Sequence, residues 1–370
     1  MQRWFFYLIL YFSFPLFAQP LEESQTCREC HPNAYAEWQS SRHAKSDHLL
    51  VYGQLLIQNN KENCYPCHQP VYALDLDEYV ESSINETSVN CDFCHAVRIE
   101  PKEQTYRLVA DNVKFGPIKD AIAYAHQCDY KELYTTAEFC MTCHDYNHLP
   151  LKQHFSSVYD EWKESRFYEQ GVVCQDCHMP ARVGKAATLG KIRDTIHSHH
   201  FYNGESEEFL HQCAELQLTA VRAGENINIE LLITNRSVGH KLPSGSPLRM
   251  VILQVEVQNE QLQPLWRNWY KDPLAEDDNA VFGKRFYSAD NRLVLPWEES
   301  DRVIDKRLIP DSTVTLNYFI QDSTASWIEA KLLYHILPPP YENRIITGRS
   351  TDYPPRQINV VKEKIEVIAE

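Results

Sequence analysis

The chain has 370 residues, of which 43% are apolar and 12% aromatic. This composition excludes a largely disordered chain, and the length is enough for two ordinary domains. The formal net charge of -15 makes nucleic acid and anionic membrane surfaces poor partners, because both are themselves negatively charged.

Residues 1–18, MQRWFFYLILYFSFPLFA, have the pattern of a secretory signal. One basic residue, Arg3, precedes an uninterrupted apolar run, and the small residue Ala18 follows it. A membrane span needs about 20 apolar residues, so the run predicts a removable signal peptide, with an uncleaved anchor as the alternative. We therefore expect a periplasmic or otherwise exported protein, with no membrane span after signal cleavage.

Ten of the twelve cysteines lie in five copies of the pattern C-x-x-C-H. Two thiols at this spacing can each form a thioether with one vinyl group of a haem, and the adjoining histidine then lies below the iron as its proximal ligand. Zinc ribbons, thioredoxin-like sites and disulfides also use paired cysteines, but none of them explains the histidine. The sequence therefore predicts five covalently attached haem c groups. The predicted thioether cysteines are Cys27, Cys30, Cys64, Cys67, Cys91, Cys94, Cys140, Cys143, Cys174 and Cys177, and the predicted proximal iron ligands are His31, His68, His95, His144 and His178.

The two remaining cysteines, Cys128 and Cys213, both occur in the tripeptide HQC. In an oxidising compartment, the simplest expectation is a disulfide that joins the haem-binding region to the part of the chain that follows. Two buried free thiols are the alternative.

The composition changes after about residue 204. Short helical stretches separated by irregular loops precede this point, whereas segments such as NINIELLITN and LRMVILQVEV alternate apolar and polar residues after it. Alternation of this kind is typical of strands with one buried face. We therefore expect a mainly helical or irregular pentahaem cytochrome domain over residues 19–204. An all-β domain, an immunoglobulin-like antiparallel sandwich of about seven strands, is expected over residues 205–370.

A phrase of the haem-binding region occurs twice, which indicates a divergent duplication. Its pattern is Y-x-E-W-x-x-S-R. The shared residues are Tyr35, Glu37, Trp38, Ser41 and Arg42 in the first copy, and Tyr159, Glu161, Trp162, Ser165 and Arg166 in the second. The next residue is His43 in the first copy and Phe167 in the second. Since a phenyl ring cannot bind iron, either another histidine fills that coordination site or one iron is left open.

Histidine is the expected ligand on the far side of most irons. Eleven of the 16 histidines lie outside the motifs, whereas the chain after the signal has only three methionines, at positions 141, 179 and 250. Bis-histidine coordination implies lower potentials than histidine–methionine coordination. If the segment after His31 is one helix, His43 lies about 18 Å along its axis and must serve another haem.

Several phrases resemble a known family. They are CRECHPNAYAEWQSSRHA, VNCDFCHAV, KFGPIKDA, CMTCH, EWKESRF with GVVCQDCHMP, and HHFYNG, and they cover residues 27 to about 204. The chain resembles multihaem cytochromes c of the cytochrome c554 group, which are related to the hydroxylamine oxidoreductase and octahaem reductase lineage. The later phrase TNRSVGHKLPSGSPLRM resembles an N-x-x-x-G-H-x-x-P-[TS]-G signature that accompanies such haem domains on a β-sandwich.

The resemblance implies several distal ligands. They are His43, His126 and His200 from the haem-binding region, and His240, which would reach in from the sandwich. For His240, a hydrogen-bonding histidine at the corner between a strand and a turn is the alternative. His48, His148 or His154 would complete the set.

Two functions are compatible with these expectations. The first is an electron carrier of a respiratory chain, with low-potential, mostly bis-histidine haems and with donor and acceptor proteins that the sequence does not identify. The second is an oxidoreductase that acts on a small nitrogen or sulfur oxyanion at an open, five-coordinate haem. A sandwich that docks a partner or further copies of the chain is compatible with both, and the sequence singles out no catalytic residue.

Overall fold

The structure, a computed structural model, describes residues 21–48, 65–73, 86–100, 105–108, 113–145, 157–345 and 353–367. The predicted signal peptide, Cys64, His148 and His154 lie outside these ranges. Within them, no helix is both long enough and apolar enough to cross a membrane.

The haem-binding region is built from short helices, and the C-x-x-C-H motifs coincide with several of them. The α-helices are α1 (Ser24–Cys27), α2 (Pro32–Ser40), α3 (Tyr65–His68), α4 (Cys91–Ala96), α5 (Glu138–His144), α6 (Val158–Lys163), α7 (Arg166–Glu169) and α8 (Cys174–His178). Turns of 3₁₀-helix span His43–His48, Pro70–Ala73 and Glu132–Thr135. The region is therefore less helical than a mainly α domain.

Three two-stranded ribbons add to this irregular framework. They are β1 (Val97–Glu100) with β2 (Thr105–Leu108), β3 (Val113–Gly116) with β4 (Gln127–Tyr130), and β5 (Ala181–Lys185) with β6 (Ile192–His197). The second ribbon is parallel and the other two are antiparallel. No ribbon has more than two strands within the described residues, so loops and short helices bring the motifs together.

The expected helix after His31 is shorter than the sequence suggests. Pro32, whose fixed φ suits a first helical position, begins α2, and the extended backbone of Ser41 ends it. The chain then turns into the 3₁₀ segment that starts at His43. His43 therefore does not lie on the axis of α2, and the expectation of one helix from His31 to His43 was wrong. The conclusion that His43 faces a different motif does not change.

The C-terminal region is rich in strands, as the alternating pattern predicts. A short helix, α9 (Glu207–Leu210), leads into it, and α10 (Pro273–Glu276) and two 3₁₀ turns (Asp278–Ala280 and Pro339–Arg344) interrupt it. The strands are β7 (Glu215–Ala223), β8 (Asn226–Thr234), β9 (Met250–Asn259), β10 (Pro264–Arg267), β11 (Val281–Tyr287), β12 (Leu293–Val294), β13 (Arg302–Asp305), β14 (Thr313–Gln321), β15 (Ala325–His335), β16 (Arg356–Lys364) and β17 (Glu366–Val367).

These strands form two sheets. One has the order β12-β11-β9-β15-β16, with β10 beside β9 and β13 beside β11, and the other has the order β14-β8-β7-β17. All pairs are antiparallel except β17 with β7. There are more strands than the seven expected, partly because β10, β12 and β13 are short additions to the first sheet.

One buried apolar cluster lies between the two sheets. Alternate residues of β8, such as Ile229 and Leu231, join alternate residues of β9 and β15, such as Val255 and Leu332, and each is at most 1% exposed. Burial of an aliphatic side chain of this size contributes about 1.5–3 kcal/mol. The sheets therefore face each other across a common core, while the immunoglobulin-like topology stays a prediction.

The haem-binding region contacts the strand-rich region through charged residues of its second repeat. Arg166 forms an ion pair with Asp311, with 2.6 Å between Nη1 and Oδ1. The largely buried Glu161 accepts from Arg307, with 2.6 Å between Oε1 and Nη2. These contacts hold the loop between β13 and β14 beside the second repeat. The domain boundary at residue 204 stays a prediction.

Candidate cofactor site

A cavity of about 1900 Å³ lies inside the haem-binding region. Its volume exceeds the roughly 300–1,000 Å³ of a site for one small molecule, so it can hold several large ligands. All five motif histidines and the nine motif cysteines that the structure describes line it. The donors that would fix haem covalently therefore surround one continuous space.

Most of the motif histidines have one ring nitrogen engaged with the backbone. In each case Nδ1 donates to a carbonyl oxygen, which leaves Nε2 as the nitrogen with a free lone pair. The pairs are His31 with Ala186 (2.7 Å), His68 with Ser46 (2.9 Å), His95 with Phe115 (2.7 Å) and His178 with Tyr202 (2.5 Å). Hydrogen bonds of this kind orient imidazole ligands in metal proteins, so the rings are preset for coordination through Nε2.

Four motif histidines each face another histidine ring across a nearly constant gap. The ring centroids are 6.4 Å apart for His31 and His126, 6.1 Å for His43 and His144, 6.3 Å for His95 and His199, and 6.3 Å for His178 and His240. A bond of about 2 Å from each nitrogen to a metal, plus about 1 Å from nitrogen to centroid, predicts a separation of about 6 Å. The gap thus fits one metal ion between two axial imidazoles.

Burial favours the neutral form of three of the facing histidines. Burial lowers the pKa of His43 to about 3, and burial also lowers the pKa of His199 and His240 to about 4. His240 donates from Nδ1 to the carbonyl of Lys241 at 3.0 Å, which again leaves Nε2 for the cavity. Neutral imidazole is the form that binds metals, so the donor chemistry fits iron.

Among the histidines predicted as distal ligands, His43, His126 and His240 lie in these pairs, but His200 does not. The ring that faces His95 belongs to its neighbour His199, while His200 Nδ1 lies 3.2 Å from Ser40 Oγ, away from the cavity. Neighbouring side chains of a non-helical segment point in different directions, so only one of the two can enter the cavity. The HSHHF cluster indicates the segment, but sequence alone could not choose between its histidines.

The candidates for the far side of a haem bound at His68 are only partly described. His48 has an 83% exposed side chain and lies beside Asp47. His148 and His154 lie outside the described residues. The predicted assignment at this iron therefore stays a prediction.

Phe167, which replaces a histidine in the second repeat, packs against the loop that carries His240. A Cβ atom at Gly239 would lie 3.2 Å from the Phe167 ring, so the phenyl group fills the space above that glycine. The guanidinium of Arg166 lies 4.9 Å from the ring centroid on the same side. All four ring pairs form without position 167, so this substitution does not itself leave any of these four sites open.

The predicted duplication has matching contacts in the two copies. Trp38 donates from Nε1 to the carbonyl of Val89 at 2.9 Å, and Trp162 donates to Val172 at 2.9 Å. Each valine lies two residues before a C-x-x-C-H motif. Trp38 therefore ties its helix to the start of the motif at Cys91, and Trp162 ties its helix to the start of the motif at Cys174.

The glutamate of the repeated phrase has a role that the sequence did not reveal. Glu37 accepts from the backbone N–H of His199 at 2.8 Å and pairs with Arg182. Glu161 accepts from the backbone N–H of Lys241 at 3.0 Å, next to His240, and pairs with Arg307. Glu37 thus holds the backbone of His199, which faces His95, and Glu161 holds the backbone beside His240, which faces His178. The duplication was the only sequence signal that could have drawn attention to this pair.

The repeats also bring motif thiols together. The thiols of Cys27 and Cys91 hydrogen-bond each other. This bond and burial both raise the pKa of Cys27, whereas the bond lowers the pKa of Cys91 although burial opposes that shift. Cys140 and Cys174 interact in the same way in the second repeat. Haems attached at these cysteines would therefore be neighbours.

The two remaining cysteines are free thiols, so the expected disulfide is not formed. Cys128 lies in β4 with its sulfur 3.7 Å from His126 Nδ1. Cys213 is buried after α9, where its thiol donates to the carbonyl of Phe209 at 3.3 Å. Both are therefore free thiols, as in the alternative expectation, but only Cys213 is buried and Cys128 is partly exposed.

One other group of ligand-type atoms lies at the cavity wall. Atoms of Glu22, Cys27 and Asp92 are within 4.8 Å of one another. Asp92 already pairs with Lys114 at 2.6 Å, and Cys27 belongs to a C-x-x-C-H motif. The group is therefore accounted for without a separate cation.

The chain has two similarities to known proteins. Residues 26–96, which include three of the five motifs, match the family described as cytochrome c554 and c-prime. The chain is similar to the crystal structure of a penta-heme cytochrome c552 from Thermochromatium tepidum, with a TM-score of 0.75 and 22% sequence identity. That match covers 94% of this chain and 100% of the other. No curated protein sequence matches the chain.

The two similarities cover different parts of the chain and support different statements. The structural match shows a shared fold over nearly the whole chain. The family match covers only an N-terminal part, and with the motifs it supports a multihaem c-type cytochrome that binds haem c. The predicted relationship to the hydroxylamine oxidoreductase lineage stays a prediction.

Proposed function

We propose that this chain is an exported pentahaem c-type cytochrome that transfers electrons in a respiratory chain. The observation that carries the proposal is the set of four facing histidine pairs, each joined to a C-x-x-C-H motif and all open to one cavity. Filled axial positions suit electron transfer, because no ligand has to bind or leave when the iron changes oxidation state.

Each residue type has a defined task in this proposal. The motif cysteines form thioethers to haem, the motif histidines are proximal ligands, and His43, His126, His199 and His240 are the distal ligands. His199 takes the place that the resemblance assigned to His200. Bound haem supplies one-electron iron chemistry, and the protein provides two histidines for each of four irons, a ligand set that implies lower potentials than histidine–methionine coordination.

The short distances between sites support passage of electrons through the chain. The thiols of Cys27 and Cys91 interact, as do those of Cys140 and Cys174, so haems attached at these cysteines would be neighbours. His43 also lies close enough to His178 for a charge on one ring to disfavour a charge on the other. We expect electrons to enter at one exposed haem and leave at another, between donor and acceptor proteins whose surfaces complement a net charge of -15.

Reduction of a small nitrogen or sulfur oxyanion at an open haem is the alternative. It requires an iron with one free axial position. Facing histidines occupy the far side at His31, His95, His144 and His178, which favours the carrier.

Intact mass and the haemochrome spectrum of the exported protein test the proposal. We expect the mass of the chain after signal cleavage plus five covalent haems. Replacing Cys174 and Cys177 by serine should remove one haem, whereas the matched change Cys213→Ser should keep all five. Fewer than five haems in the wild type would refute the count, and none would refute the cytochrome.

Electron paramagnetic resonance of the oxidised protein and carbon monoxide binding to the reduced protein separate the two functions. The carrier predicts low-spin irons and no carbon monoxide adduct. A high-spin iron that binds carbon monoxide and turns over nitrite or sulfite would favour the oxidoreductase.

A further inference from the structure

Arg249 contributes an unpaired positive charge to the wall of the cavity. It lies in the loop before β9, is about half-buried, and faces the cavity from the strand-rich region. Its Nε is buried without a hydrogen-bond partner, and no acidic side chain pairs with it in the part of the chain that the structure describes. Partly buried guanidinium groups are normally paired, because the loss of hydration has to be offset.

The other basic residues of this wall differ from Arg249. Five of them form ion pairs with carboxylates of the chain, and a sixth, Lys185, is exposed. The paired residues are Arg42 with Glu205, Lys114 with Asp92, Arg182 with Glu37, and Lys191 and Arg193 with Asp120. Arg249 is thus the half-buried cation for which the described chain provides no anion.

The backbone around Arg249 is shaped to hold its guanidinium at the cavity. Nη1 donates to the carbonyl of Ser244 at 2.8 Å. Gly245 has a φ of +78°, and a Cβ atom there would lie 2.6 Å from Nη1. Any other residue at position 245 would therefore meet both a strained backbone and the guanidinium, so the loop and the arginine fit each other.

Arg249 lines the same cavity as the motif histidines and cysteines. A haem held in that cavity would bring two propionate carboxylates, and a carboxylate is the anion that the described chain does not supply to Arg249.

We infer that Arg249 binds a propionate carboxylate of a haem held in this cavity. The inference rests on the proposed function, since it requires haem in the cavity. A guanidinium offers two parallel N–H donors to a carboxylate, a geometry that lysine cannot reproduce. In this position its charge favours the reduced, less positive haem and raises the potential of that haem.

Spectroelectrochemical titration of the full-length holoprotein tests this inference. Arg249→Met should shift the reduction equilibrium of one haem about tenfold toward the oxidised form, which is a potential lower by about 59 mV. Arg249→Lys should give a smaller shift, because the charge remains while the two-point contact is lost. The matched control is Arg236→Met, which removes an exposed arginine that pairs with Glu215 and should shift no haem.

The intact mass of each variant is measured first, so that loss of haem is not mistaken for a shift. Five haems with an unchanged potential in both Arg249 variants would overturn the inference while leaving the proposed function intact. If Arg249→Met does not fold, the potential of Arg249→Lys alone decides. Titration with sulfate distinguishes an internal carboxylate from an external oxyanion: the wild-type potential should not respond, and an Arg249-dependent response would overturn the assignment.

Discussion

Removal of the Glu161 carboxylate should loosen the loop that carries His240. Glu161 has a side chain only 10% exposed, accepts from Lys241 N–H and pairs with Arg307. In Glu161→Ala the backbone N–H beside His240 loses its acceptor. The ion pair between Arg307 and Glu161 is also lost, but Arg307 keeps its ion pair with Asp305.

The expected size follows from the hydrogen bond that is lost. A hydrogen bond to a charged acceptor contributes about 1.5–3 kcal/mol. A loss of about 2 kcal/mol raises the equilibrium constant for detachment of the loop about 30-fold. The fraction of protein in which His240 leaves its partner at His178 should therefore rise by that factor.

Carbon monoxide binding to the dithionite-reduced protein measures this fraction, because the ligand enters only where an axial histidine has left. Glu161→Ala should bind carbon monoxide at one additional haem, or bind it about 30-fold more readily. Glu161→Gln should restore most of the wild-type behaviour, since an amide oxygen still accepts from Lys241 N–H. The matched control is Glu164→Ala, an exposed position one turn away.

Equal carbon monoxide binding in Glu161→Ala, Glu164→Ala and wild type would refute this reasoning. So would a Glu161→Gln variant that behaves like Glu161→Ala, because the ion pair rather than the hydrogen bond would then hold the loop.

Three further predictions concern packing, thiols and pH. Phe167→Ala should lower the free energy of unfolding by about 2 kcal/mol in chemical denaturation, without a high-spin signal in the visible spectrum, since the ring packs but binds no iron. Alkylation followed by intact mass should find two free thiols, with Cys128 reacting in the native protein and Cys213 only after unfolding, and an absence of both adducts would indicate a disulfide. Although burial alone would raise it, hydrogen bonds from Arg307 lower the pKa of Asp305 from 3.8 to about 2. Its stabilisation of at most about 1 kcal/mol should thus be complete above pH 4 and lost as the pH falls toward 2, a loss that Asp305→Asn should abolish in unfolding curves.

The sequence alone identifies the proximal half of each candidate site. The thioether cysteines and the histidine that follows them are neighbours in the chain, so one short pattern contains all three groups. The strands of the C-terminal region can also be predicted from the sequence, because apolar and polar residues alternate along a strand such as β8, which has one buried face. Local patterns thus specify local chemistry.

The distal half depends on contacts between remote segments. The choice between His199 and His200 follows from the direction in which one residue of a non-helical segment points, and no periodicity specifies that direction. The contact between Glu161 and Lys241 joins the haem-binding region to a loop of the strand-rich region, and a sequence pattern cannot measure that distance. The expected disulfide was wrong for the same reason, because the sequence does not show whether two remote cysteines meet. Cys128 lies in β4, Cys213 follows α9, and both are free thiols.

The facing histidines have a consequence for biogenesis. Each pair is separated by about 60 to 100 residues of chain, and closure of loops this long is slow and entropically costly. Each C-x-x-C-H motif, by contrast, lies within five neighbouring residues and needs no loop closure. In the proposed cytochrome, attachment of haem at a motif would therefore not require the folded chain, whereas the facing histidine would arrive only when the loop closes. The fold, and not the motif, then determines which histidine lies opposite each motif.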